Sequence, residues 1–193
     1  MEQFVWRLLA ANPLAAFYNL EYSTAVKGQD VVVMLKLLSL PGGEWTYLKL
    51  ARELGMSASE VHTAVKSCET AGLYNKHTRQ PNRTALKEFL VHGLRYVFPA
   101  KPGPIVQGLP TSYAGPPLAG KIHFDNSETP VMPLLHGPVR GPEICPLHRS
   151  APTAAKSDQK LYEYLSLADA LRTGRSRERK LAREALDEIM AAE

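Results

Sequence analysis

Cysteine is scarce in this 193-residue chain, which carries only Cys68 and Cys145. One falls on the apolar side of a predicted helix and the other in a proline-rich stretch. That is no disulfide framework, and a reducing cytoplasm is the expected setting. One cysteine near histidines is also too few for structural zinc. Cys145-Pro146-Leu147-His148 has zinc-like spacing, with His123 and His136 upstream, but such a site normally takes four ligands, two or more of them cysteine. Neither a metal nor any other cofactor is expected. Long apolar runs are lacking too, and nothing approaches the roughly 20 residues that span a bilayer. Met1 to Arg7 holds no charged leader followed by an apolar run, and Asn12-Pro13 breaks the segment soon after, so a signal peptide is not expected. No glycine-rich phosphate loop occurs, since Leu40 to Glu44 reads as a turn. No Ser/His/Asp arrangement or paired carboxylates stand out, which points to a binding protein and not an enzyme.

What remains is ordinary globular composition, 45% hydrophobic and 22% charged, enough for one domain and a smaller packing unit. A net charge of +4 permits a polyanionic partner without demanding one. Residues 1–27 form an apolar-rich segment with a short helix over Phe4 to Ala11, a candidate dimer contact. In 28–97, Asp30 caps a mostly buried helix from Val31 to Leu40. Further helices are expected over Trp45 to Leu54, Ser57 to Ala71 and Thr84 to Tyr96, with stops at Gly55 and Gly72. The polar stretch Asn75 to Arg83 separates Tyr74 from Leu86 as a hairpin loop would.

The texture changes at Pro99. Twelve of the 15 prolines lie between Pro99 and Pro152, which argues against regular helices or central strands there. Yet Ile105, Val106, Leu109, Tyr113, Leu118, Ile122, Phe124, Val131, Leu134 and Leu135 make 98–152 too apolar for a solvated linker. An irregular but ordered strap is expected. In 153–193, Ser157-Asp158 caps a helix carrying Leu161, Leu165, Ala168 and Leu171 at helical spacing, ended by Gly174. A last helix over Ser176 to Ala192 aligns Leu181, Ala185, Leu186, Ile189 and Met190. Such a pair must dock on the first domain or dimerise.

The stretch from Leu50 to Leu73 carries most meaning. Leu50, Leu54, Val61, Val65 and Leu73 supply a small core between two crossing helices, and Ala51 permits close approach. Gly55 permits a left-handed turn, and Ser57 with Glu60 forms a capping box. Over roughly residues 30–90 this spacing resembles the helix-turn-helix of MarR-type winged-helix regulators. The resemblance implies a winged helix-turn-helix domain; with the proline-rich strap and the C-terminal helix pair that follow it, a mainly α fold is expected. The strap and helix pair depart from the usual MarR pattern, in which long terminal helices form the dimer.

The resemblance also implies a DNA-reading helix from Ala58 to Thr70 and a two-stranded wing around 74–86. The solvent face of that helix is expected to present Ala58, Ser59, His62, Thr63, Lys66 and Ser67, with Ser57 at its cap. These are short polar or cationic groups suited to base edges and phosphates. The wing adds Lys76, His77, Arg79 and Arg83. Separately, Arg172, Arg175, Arg177, Arg179, Lys180 and Arg183 gather near a helix start, where the macrodipole favours acids. Arg175, Arg177 and Arg179 are therefore candidates for contact with phosphate or an acidic partner. The expectation is a homodimeric repressor binding double-stranded DNA. The alternatives are an antitoxin or autoregulator gripping a partner protein through its C-terminal half, and a winged-helix adaptor that binds protein only.

Overall fold

The computed structural model describes residues 25–40, 44–121 and 129–191. The helix expected over Phe4 to Ala11 and the turn at Pro41 to Gly43 lie outside them, as do Ile122, His123 and Phe124. The chain is mainly helical.

At its centre lies α1 (Gly28–Ser39), whose residues from Asp30 to Ser39 are all buried. An apolar run without a polar stripe can form a stable helix only if it is enclosed on every side. Here α2 (Tyr47–Leu54) and α3 (Ala58–Thr70) enclose it on one side and α7 (Gln159–Thr173) on another. Val31, Val32, Val33, Met34 and Leu35 are fully inaccessible, and burying each such side chain contributes about 1.5–3 kcal/mol. Asp30 is not the cap. It stands in the first turn, its carboxylate accepting from the Lys27 amide at 2.9 Å.

One polar side chain interrupts this helix. Lys36 is 5% exposed, and its ammonium meets Glu53 of α2 at 2.7 Å and Asp158, the cap of α7, at 2.6 Å. The same Asp158 carboxylate accepts from Ser39 Oγ at 2.9 Å and from the Leu161 amide at 3.0 Å. One buried cation thus joins the N-terminal helices to the C-terminal half. Burial alone would lower the Lys36 pKa, but its bonds to Asp158 and Glu53 outweigh that and raise it. Burial likewise works to raise Asp158, yet the Leu161 amide, Lys36 and Ser39 hold it below the usual carboxylate range.

After α3 a short hairpin pairs β1 (Tyr74–Asn75) with β2 (Gln80–Pro81). The helix expected over Thr84 to Tyr96 is present in three parts. These are α4 (Arg83–Glu88), a π-helical turn (Phe89–Gly93) and α5 (Leu94–Val97). At Gly93 a Cβ would press on the Phe89 ring at 3.0 Å, so a larger residue there would require the ring to shift.

The proline-rich segment is more regular than its composition implies. It holds β3 (Pro102–Pro110), β4 (Val131–Pro133) and β5 (Val139–Ile144), which close on themselves, β3 pairing antiparallel with both others and β4 parallel to β5. Pro102, Pro110 and Pro133 stand at strand ends, Pro104 falls in a register shift between Pro102 and Ile105, and Pro142 of β5 pairs with Ile105 at the edge of that shift, places where strands tolerate proline. The interior is filled by backbone. A Cβ on Gly108 would collide with the Met132 carbonyl, and one on Gly141 with the Thr129 carbonyl. A strand unit this tight needs glycine at both.

This β unit is tied to α7. Thr111 donates to the buried Asp169 carboxylate at 2.7 Å, and Tyr162 donates to the Pro110 carbonyl at 2.5 Å. Buried Arg172 pairs with Asp169 at 2.9 Å and donates to the Phe98 and Cys145 carbonyls. Burial pushes Asp169 up to about 6, against the lowering by Arg172 and Thr111. Arg172 is therefore a structural staple and not part of a surface cluster.

A short helix, α6 (Ala151–Ser157), leads into α7, and α8 (Ser176–Ala191) packs along α7. The apolar stripe of α8, with Ala182, Ala185 and Leu186 buried, is covered within the chain. A single apolar core runs from α1 to α3 through α7 and α8.

Removing one partner of a buried ion pair strands the others. Lys36→Met is expected to cost about 3 kcal/mol in urea unfolding at pH 7, the lower part of the usual range because Glu53 and Asp158 keep some solvent. Asp158 has its pKa lowered from 3.8, so its contribution is present above that value and is lost as pH falls through the folded pKa. The stability difference between wild type and Asp158→Asn should accordingly shrink as pH falls below 3.8 and through the folded pKa.

Candidate nucleic-acid interface

The face of interest is built by α2, α3 and the hairpin. Thr46 caps α2, its hydroxyl accepting from the Lys49 amide at 3.2 Å. Leu50, Ala51 and Leu54 turn inward and leave Lys49 and Arg52 exposed. Gly55 ends α2 at φ +64°, a left-handed backbone that a side chain adopts only at a cost. α3 then begins with a reciprocal box in which the Glu60 amide donates to Ser57 Oγ at 3.1 Å and the Ser57 amide to Glu60 at 2.7 Å. These Ser57 bonds hold the Glu60 carboxyl below its ordinary range. The acid beside a helix N-terminus is thereby occupied and favourably placed.

Val61, Ala64, Val65 and Cys68 fix the rotation of α3 by pointing into the core. Burial, with Asp30 nearby, pushes the Cys68 thiol up to about 12, so it stays protonated as a core side chain. On the opposite side Ser59, His62, Thr63 and Lys66 are exposed, with Ser57 at the cap. Two expected members are placed differently. Ser67 is buried, and Ala58 is half-buried against the core. Both lie at the edge of the apolar stripe, where one residue of helical rotation decides exposure.

Between α3 and the hairpin runs an open groove of about 500 Å³, lined by Tyr47, His62, Lys66, Glu69, Lys76 and Arg79 among others. The Tyr47 and His62 rings lie 5.2 Å apart at a tilt. Lys76 reaches Glu69 only at 3.9 Å, with both side chains exposed to water, and such a pair is worth little. Lys76 therefore remains available to an anion. His77 sits at the hairpin tip, where its amide donates to Asn75 Oδ1 at 2.9 Å in an Asx turn.

Arg79 and Arg83 differ from the other expected contacts. Arg79 is left-handed at φ 56°, a state that costs a non-glycine residue about 1–2 kcal/mol. Trp45 holds it there. The indole Nε1 donates to the Arg79 carbonyl at 3.0 Å, Arg79 Nη2 donates to the Trp45 carbonyl at 3.0 Å, and the guanidinium stacks 4.8 Å over the indole ring. Expected as the first residue of a helix, Trp45 instead lies buried before α2 and locks the hairpin to it. Arg83 is the first residue of α4, beyond the hairpin, and donates to the Met190 carbonyl of α8 at 3.0 Å.

The C-terminal basic cluster is also divided. Arg179 donates to the Gly174 carbonyl at 2.6 Å, and the Arg175 amide donates to Glu178 at 2.9 Å, tying down the start of α8. Arg175 and Arg177 have exposed side chains. Lys49 and Arg52 went unnoticed in the sequence, although their spacing around Leu50, Ala51 and Leu54 marks them as the outer side of α2. Trp45 gave no such sign, because its partner lies 34 positions away.

Trp45→Phe keeps the buried ring body and removes the donor to Arg79. Losing one net hydrogen bond of about 1 kcal/mol should speed amide exchange in the segment Lys76 to Arg79 by about fivefold. Exchange in α1 should not change, and equal acceleration in both would contradict the local lock.

Comparison with known proteins gives no match to a family model, a curated protein or a solved structure.

Proposed function

We propose that this protein is a winged helix-turn-helix regulator that binds double-stranded DNA through α3, acting as a homodimeric repressor. The observation carrying this reading is the composition of one continuous face. Ser59, His62, Thr63 and Lys66 stand exposed on a firmly capped helix, with Lys76 and His77 on the hairpin beside it. Side chains of this length and polarity reach base edges in a major groove, and cations beside them meet the flanking phosphates. Lys49 and Arg52 suit the preceding helix, which crosses the backbone in this docking mode. Arg79 supports the wing through Trp45 and contributes its charge from there.

The protein-adaptor reading is favoured by one observation, the 72% exposure of Leu48 on α2. A single exposed leucine is common on soluble proteins, however, and α3 itself presents no large apolar side chain to solvent.

Operator selected from a random duplex pool, followed by anisotropy titration, tests the proposal. His62→Ala, Thr63→Ala and Lys66→Ala together should weaken operator binding by at least tenfold. Each lost base contact is worth about 1–3 kcal/mol, and stability should not change because all three are exposed. The complex should contain two chains of 21.3 kDa per operator by light scattering, since two heads are needed for useful specificity. Unchanged affinity in the triple variant would exclude α3 as the reading element.

A further inference from the structure

The segment leaving the β unit, Cys145 to Ser150, returns to the α2–α3 turn before entering α6. Ser150 Cβ lies 3.6 Å from where a Cβ on Gly55 would stand, and α6 packs against α2. Residues far apart in sequence are therefore neighbours at the turn that leads into the proposed reading helix. His148 and Arg149 also add, after the Ser57 hydrogen bonds, to the electrostatic lowering of the Glu60 pKa.

The two basic groups of this segment differ. His148 is half-buried, with Nδ1 2.9 Å from Ser150 Oγ. Burial holds it below its usual range, Arg149 adding to the lowering and Glu60 opposing it. Arg149 is exposed and keeps its charge at every relevant pH. Among the described residues no ion pair joins Arg149 to Glu60, whose carboxylate accepts from the Ser57 amide. The segment itself is firmly held. Arg172 donates twice to the Cys145 carbonyl, at 3.1 and 3.2 Å, and Ala151, Ala154 and Ala155 of α6 are buried in the core.

We propose that Arg149 contacts the phosphate backbone of the duplex that α3 reads, so that both halves of the chain build the nucleic-acid surface. This rests on the reading of α3 as the DNA-binding helix. A helix that inserts its N-terminal residues into the major groove leaves a phosphate strand passing beside its first turn. A guanidinium held there can take two phosphate oxygens at once. The contact carries no sequence information and adds affinity, orientation and salt dependence. It also gives the β unit a role, because the strands and the Arg172 staple hold Arg149 at the turn.

The test is anisotropy titration of the full chain on selected operator and on a scrambled duplex, across a salt series. Arg149→Gln should weaken both by about tenfold, as expected for one charged hydrogen-bonding contact, and lower the salt slope by about one. Arg149→Lys should restore most of the affinity, because a phosphate needs a cation there. Arg140→Gln, an exposed arginine on β5, should bind as wild type. If Lys66→Ala weakens binding while Arg149→Gln leaves affinity and slope intact, the proposal is wrong and the reading of α3 stands. Weakening by Arg149→Gln without a change in slope, and without recovery in Arg149→Lys, would reduce Arg149 to local support of α3 and overturn the phosphate contact. Failure of the wild type to bind any duplex would remove both.

Discussion

A lysine ammonium buried in the middle of an apolar helix has to be neutralised where it stands, because an unpaired charge there costs several kcal/mol. Lys36 meets this constraint with one carboxylate from each direction, Glu53 from α2 and Asp158 from the cap of α7. Apolar contacts alone specify poorly how two surfaces are rotated on each other, whereas a cation shared between two carboxylates, one of which also accepts from the Ser39 hydroxyl, permits few arrangements. Within the apolar core that joins the N-terminal helices to the C-terminal ones, this group therefore fixes how they are set against each other.

The same economy recurs further out. Asp169 and Arg172 neutralise each other inside the molecule while Thr111, Phe98 and Cys145 fasten the proline-rich strands to α7. Trp45 and Arg79 exchange hydrogen bonds to hold a strained hairpin beside α3. In each case polar side chains set geometry and the apolar core supplies the stability. The face left to solvent is polar and largely cationic on α3 and the hairpin, with Glu60 tied into a helix cap and Glu69 towards the far end of α3.

Local features were legible in the sequence. Gly55, Ser57, Glu60 and Gly72 act through backbone conformation and capping within a few residues, so the turn and the limits of α3 derive from them directly. The exposure of His62, Thr63 and Lys66 comes from helical periodicity, which fails only at its margins, at Ala58 and Ser67. The strands between Pro102 and Ile144 were not legible. Proline argues against a strand unless it stands at an end or a register shift, and those positions are defined only once partners are known. Arg79, Arg83 and Arg172 read as surface charge for a similar reason. Their acceptors, the carbonyls of Trp45, Met190, Phe98 and Cys145, come from distant sequence. The apolar stripe of the last helix implied a covering surface, and α7 of the same chain supplies it.

The central claim is that duplex DNA docks on the face of α3. Backbone amide shift perturbation on titrating the isotope-labelled protein with selected operator tests it most directly, since it maps contact without altering any residue. Docking on α3 predicts that the shifts concentrate at 57–66, at 76–79 and at Arg149, and that they fade as salt is raised. Shifts centred instead on Tyr96, Val97 and Ile105, which are exposed apolar side chains elsewhere on the molecule, or no shifts at a saturating duplex concentration, would contradict it.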